Sequence, residues 1–150
     1  MTDAQLVTMH EARFTIDLAT HQDRAWHALT TELNSWWPGD FRATHTGSRM
    51  TLELQLGGRL LEDAGSGNGI LWYQVLAIDA PNSLLMSGFI APPFGGPATS
   101  LLRLSLHASG TDTSVLEVHD SLLGRVNAST VEEGWRAIFG QFAKYIGPGR

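Results

Sequence analysis

The sequence predicts an α+β domain in which one curved antiparallel sheet of about seven strands wraps a long C-terminal helix, with short helices after the first strand. Three observations carry this. Apolar and polar residues alternate in a series of segments divided by Gly, Pro and Asn turn signals. The last segment changes period: Val131, Trp135, Ile138, Phe139, Phe142 and Ile146 fall on one helical stripe. The only other helical pattern lies between the first strand and Pro38.

Ala12, Phe14, Ile16 and Leu18 alternate with Glu11, Arg13, Thr15 and Asp17, as in a half-buried strand. Thr20 as N-cap, with Asp23 three residues on, opens a helix over about residues 21–33; Trp26, Leu29 and Leu33 keep helical spacing, and the helix must stop before Pro38. Trp36 and Trp37 close this segment. Neighbours diverge by about 100° on a helix and about 180° on a strand, so they cannot serve the same wall: Trp36 is expected inward and Trp37 at a cavity mouth or the surface.

Met50, Leu52, Leu54 and Leu56 alternate with polar residues up to Gly57-Gly58, and Arg59 to Asp63 resumes an extended pattern, a hairpin signal. Turn residues at Gly65 to Gly69 and at Pro81-Asn82 set off Ile70 to Asp79 and Ser83 to Phe89. After the Pro- and Gly-rich stretch Ile90 to Ala98, Leu102, Leu104 and Leu106 mark a further strand, and Ala108 to Asp112 turns the chain into Thr113 to Asp120. Thr130 with Glu133 reads as the capping box of the final helix, and Gly147-Pro148 as its stop.

With 150 residues, 43% of them apolar, the chain is expected to form a single domain over residues 1–150 without disulfide or metal staples. There is no cysteine, which removes thiol nucleophiles and thiolate zinc sites and fits a cytoplasmic location. The first twenty residues include Asp3, Glu11, Arg13 and Asp17 and no apolar run, so neither a signal peptide nor a spanning helix is expected. The ten Lys and Arg residues are scattered singly against fifteen acidic ones, so no basic stripe exists for nucleic acid or an anionic membrane.

Gly65 to Gly69 precedes a strand and is followed by no Lys-Ser/Thr, which makes it a turn and not a phosphate loop. His10, His21, His27, His45, His107 and His119 form no close ligand cluster, so no metal and no other cofactor is expected. No GxSxG elbow presents a nucleophile. The last strand has two faces, one with Val115, Glu117 and His119, the other with Ser114, Leu116, Val118 and Asp120. If the second faces the core, Glu117 and His119 are a solvated pair. If the first does, they line the interior, where desolvation raises the Glu pKa and suits it to proton transfer. Aromatic residues from every part of the chain make either one ordinary core or the walls of a pocket, because a strongly curved sheet is hard to fill around a single helix. Pro92, Pro93, Gly95, Gly96 and Pro97 suit a pocket rim, a lid or a plain surface loop.

Four stretches resemble a known family: "DRAWHALTTELNSWWPGDF" (residues 23–41), "LELQLGGRLLED" (52–63), "VLAIDAPNSLLMSGF" (75–89) and "EEGWRAIFGQFAKYI" (132–146). Together they are similar to the START-like (SRPBCC, Bet v 1-like) helix-grip superfamily, and within it to the C-terminal domain of the activator of Hsp90 ATPase. The resemblance implies a cavity between sheet and final helix that holds a hydrophobic ligand or, in the co-chaperone relatives, a surface that touches a protein partner. It also implies an inward register for Val115, Glu117 and His119, because relatives commonly carry apolar, apolar, His at these alternate positions.

Three functions follow as expectations. The first is binding of a small hydrophobic or amphipathic ligand by Trp36, Trp72, Met86, Phe89, Leu104, His119, Trp135 and Phe139. The second is a partner module of the Hsp90-activator kind, with a chaperone as partner. The third is a cyclase- or hydrolase-type enzyme using Glu117 and His119 as acid and base. Leu122 and Leu123 suit either core or a homodimer interface.

Overall fold

The computed structural model describes residues 4–147. Its strands are β1 (Met9–Leu18), β2 (Arg49–Leu52), β3 (Arg59–Gly65), β4 (Asn68–Asp79), β5 (Ser83–Ile90), β6 (Ala98–Ala108) and β7 (Ser114–Gly124); its helices are α1 (Gln22–Thr31), α2 (Leu33–Trp36) and α3 (Ala128–Ile146). The seven strands form one antiparallel sheet in the order β1-β7-β6-β5-β4-β3-β2. From β2 to β7 sequence neighbours are also sheet neighbours, and β1 closes onto β7.

Register decides which side chains meet α3. Phe14, Val118 and Leu104 stand in one lateral row across β1, β7 and β6, and Ile16, Leu116 and Leu106 in the next. The inner face of β7 is therefore Ser114, Leu116, Val118, Asp120 and Leu122, all buried. Against this concave face α3 lays Trp135, Ile138, Phe139, Phe142 and Ile146. Each such side chain, removed from water, contributes about 1.5–3 kcal/mol before conformational entropy is subtracted.

Several local expectations are corrected. His21, not Thr20, caps α1: its Nδ1 accepts from the Arg24 amide at 3.3 Å, while buried Thr20 uses its carbonyl to accept from Ser114 Oγ. Asn127, not Thr130, caps α3, so the helix starts earlier and Thr130 supplies the amide that is capped. Gly147 is the C-cap, and Pro148 lies outside the described residues. The alternation from Met50 to Leu56 gives a strand only as far as Leu52; a turn closed by Gly58 N–H to Gln55 C=O follows, leaving Leu54 and Leu56 exposed.

Trp36 and Trp37 are both buried, contrary to the expectation of one at a mouth or the surface. The reason is that α2 ends at Trp36 while Trp37 is already extended, at φ −66° and ψ 120°, which swings its ring back between Trp72 and Trp135. The two rings lie 5.8 Å apart, and their indole N–H groups donate to the Ala28 and Phe41 carbonyls. They bind the short helices and the following loop to α3.

A candidate ligand cavity at the splayed ends of β4 and β5

The β3–β4 ladder pairs Leu60 with Tyr73 but Leu61 with Leu71, leaving Trp72 as a bulge residue. A bulge turns two successive side chains to one side, so Trp72 and Tyr73 both serve the interior. On its other edge β4 pairs with β5 only from Gln74–Ser87 to Asp79–Ser83. Beyond Gln74 and Ser87 the strands separate. Gly88 sits at this fork: a Cβ there would lie 2.4 Å from the Trp72 carbonyl oxygen and 2.8 Å from the Tyr73 ring, so only glycine admits both.

The gap opens into a cavity of about 500 Å³ between the two strands and the first turns of α3. Ile70 to Tyr73 and Phe89 to Ala91 form its strand walls, Thr130, Val131, Gly134, Trp135 and Ile138 its helix wall, and Phe41, Ala43 and Phe94 come from loops. The volume lies in the range of small-molecule sites. A second space, deeper between sheet and helix, amounts to only about 10 Å³ and is lined by Trp36, Met86, Leu104 and Phe139 among others. That part of the interior is packed.

The expected binding residues therefore separate. Trp72, Phe89 and Trp135 line the large cavity. Trp36, Met86, Leu104 and Phe139 belong to the packed core, with Trp135 touching both spaces. Phe89 faces outward by alternation and is 83% exposed; it reaches the cavity because the sheet is open beside it. His119 is on the other side of the sheet: its ring nitrogen lies 3.2 Å from Glu11, and Glu117 beside it pairs with Arg13 at 3.2 Å. The pairing of β7 with β1 and β6 puts Leu116 and Val118 inward, so the inward register implied for Glu117 and His119 is corrected. Neither can meet a substrate in the cavity. Leu122 is core and Leu123 is about half exposed on the outer face.

The polar group inside is Asp120, 1% exposed and part of the cavity wall. Its Oδ1 accepts from Ser100 Oγ at 2.5 Å and its Oδ2 from Trp135 Nε1 at 2.9 Å; the Tyr73 hydroxyl, 2.6 Å from Ser100 Oγ, completes the chain. Burial pushes the Asp120 pKa up, against the pull of these hydrogen bonds. Burial and the nearby Asp120 charge raise the Tyr73 pKa too, keeping its hydroxyl a donor.

Glu62 plays a different part. It is fully buried on β3, in phase with Leu60, and its carboxylate accepts from the Ala43 and Thr44 amides, the Thr44 and Ser48 hydroxyls and Trp72 Nε1. Desolvation alone would raise its pKa, but these donors together outweigh it and hold the carboxyl down at about 2. Glu62 thus ties the loop after Phe41 to the Trp72 bulge, two parts of the cavity wall.

Sequence reasoning passed over both carboxylates. The signal was there: Asp120 continues the Leu116, Val118 alternation and Glu62 the Leu60 one, so each is in phase with the buried side of its strand. Among the described residues no group of three or more His, Asp or Glu side chains is arranged to hold a metal ion, and no helix is long and apolar enough to cross a membrane.

A family model described as Activator of Hsp90 ATPase homolog 1-like protein matches residues 19–147. No curated protein matches the sequence. Among solved structures, protein Mll3558 of Rhizobium loti superposes with a TM-score of 0.69 at 19% identity, covering 93% of this chain and 99% of that one. The major latex-like protein 151 of Panax ginseng gives 0.67 at 9% identity, covering 93% and 99%. A protein described as the Aha1 dimer of Colwellia psychrerythraea gives 0.65 at 12%, covering 94% and 98%. At these identities the likeness is one of fold.

Proposed function

The chain belongs to the Activator of Hsp90 ATPase homolog 1-like family, and from that premise we propose that it binds a small hydrophobic or amphipathic molecule in the cavity between α3 and the forked ends of β4 and β5. The observation that carries the reading is a space of about 500 Å³, walled mainly by aromatic and aliphatic side chains, beside a deeper sheet–helix interior around Trp36, Met86, Leu104 and Phe139 that is packed. Apolar surface of this extent, open to solvent, gains from covering by a ligand of matching shape. The test is a titration with Nile red, a neutral apolar dye: saturable binding at one site per chain, with quenching of tryptophan fluorescence, supports the reading. Absence of saturable binding contradicts it.

A second reading, contact with a protein partner or a second copy, is favoured by one feature of the outer face. Met9 pairs with Leu123, Leu123 with Thr99 and Thr99 with Phe89, so three exposed apolar side chains stand in one row across four strands. The Colwellia psychrerythraea relative is described as a dimer. If this row is an interface, light scattering after gel filtration gives twice the chain mass, and Leu123→Glu returns it to one; a monomeric wild type removes the homodimer form of this reading.

A further inference from the structure

Taking the cavity as the ligand site, we infer that its ligand class is hydrophobic amines: molecules with an apolar body and a cationic nitrogen, the nitrogen held by Asp120. Asp120 is the one charged side chain among the sixteen that line the cavity, and six of the others, Phe41, Trp72, Tyr73, Phe89, Phe94 and Trp135, are aromatic. No Lys, Arg or His is among them. Aromatic faces attract a cation and a carboxylate neutralises it, whereas a fatty acid or phosphate would meet an acidic group with nothing to pair it.

The hydrogen bonds at Asp120 point the same way. Trp135 Nε1 can only donate, and with Ser100 donating to Oδ1 the Tyr73 hydroxyl donates to Ser100, an arrangement in which both Asp120 oxygens act as acceptors. Each carboxylate oxygen accepts about two hydrogen bonds and has one side-chain donor here, so Asp120 keeps acceptor capacity at the cavity wall it forms part of. Among the described residues no cation forms an ion pair with Asp120; His119, whose charge acts on it, stands on the opposite face of the sheet. A buried carboxylate without a counter-ion is costly, and a ligand ammonium would relieve that cost. The net charge of −5 also favours cations over anions on approach.

The test compares three probes with one skeleton: phenylbutylamine, phenylbutanol and phenylbutyrate, each competing with Nile red at pH 7. The amine is expected to bind at least about tenfold more tightly than the alcohol, and the carboxylate more weakly than either. Asp120→Asn is expected to bring the amine to within about threefold of the alcohol. Alcohol or carboxylate binding as tightly as the amine overturns the inference, as does an amine preference that survives in Asp120→Asn. The wild-type order decides the matter even if that variant fails to fold. If Nile red binds but the amine shows no preference, the inference fails and the cavity reading stands; if Nile red does not bind, both fail.

Discussion

Replacing Glu62 by Ala is expected to lower the free energy of unfolding by about 2–4 kcal/mol, because neutral donors buried around it lose their acceptor and each group left unsatisfied costs about 1–3 kcal/mol before the loop relaxes. Five donors converge on this carboxylate, from the Ala43 and Thr44 amides, two hydroxyls and the Trp72 indole, and Glu62 is the side-chain acceptor they share. The same substitution should slacken the cavity wall, because Trp72 and Ala43 both line it. Acid dependence gives an independent check. A carboxyl held down at about 2 in the folded protein contributes stability that is complete above its ordinary pKa and is lost as the pH falls toward 2. Wild type should therefore lose stability over that acid window, and Glu62→Gln, unable to ionise, should lose less. Asp120, with a raised pKa, acts in the opposite sense: its contribution is present at low pH and declines as the pH rises through its folded value. Urea unfolding followed by tryptophan fluorescence reads both effects. A Glu62→Ala variant within about 1 kcal/mol of wild type would contradict this account of the clamp.

Gly134→Leu is expected to weaken ligand binding at least about tenfold while leaving stability unchanged or raising it by up to about 1 kcal/mol. Glycine in the middle of a helix is a poor choice on propensity alone, and Gly134 lies well inside α3. It faces the cavity, and a Cβ built there meets only the Phe41 ring edge at 3.8 Å, an ordinary contact. The first carbon therefore fits without strain, and the rest of a leucine side chain extends into space a ligand would occupy. Nile red titration and thermal unfolding of the same preparation separate the two effects. Undiminished binding in a folded Gly134→Leu protein would place the ligand elsewhere.

The sequence made the architecture legible because it is written in simple periods: alternation in the strands, a helical stripe in α3, and turn residues between. Boundaries were less legible where a competing partner existed. Asn127 and His21 captured helix starts that Thr130 and Thr20 also suited. The cavity itself was not legible, since it depends on a one-residue bulge at Trp72 and on where the β4–β5 ladder ends, and alternation encodes neither. Trp72 and Trp135 were reachable from composition and position; Trp36, Met86, Leu104 and Phe139, equally apolar, went to packing because the sheet closes tightly over them. Alternation alone leaves both faces of β7 open; pairing with β1 and β6 turns Glu117 and His119 outward, and Asp120, in phase with Leu116 and Val118, is the carboxylate that burial affects.

The central claim is that a ligand enters at the β4–β5 fork and lies against the first turns of α3. The five tryptophan indole N–H signals, resolved in a nitrogen-15 correlation spectrum, report on it directly. Saturation with a neutral cavity ligand such as phenylbutanol should shift the Trp72 and Trp135 signals and leave those of Trp26 and Trp36 in place, because only the first two line the large cavity. Shifts confined to Trp26 and Trp36, or no shift at any of the five, would contradict it.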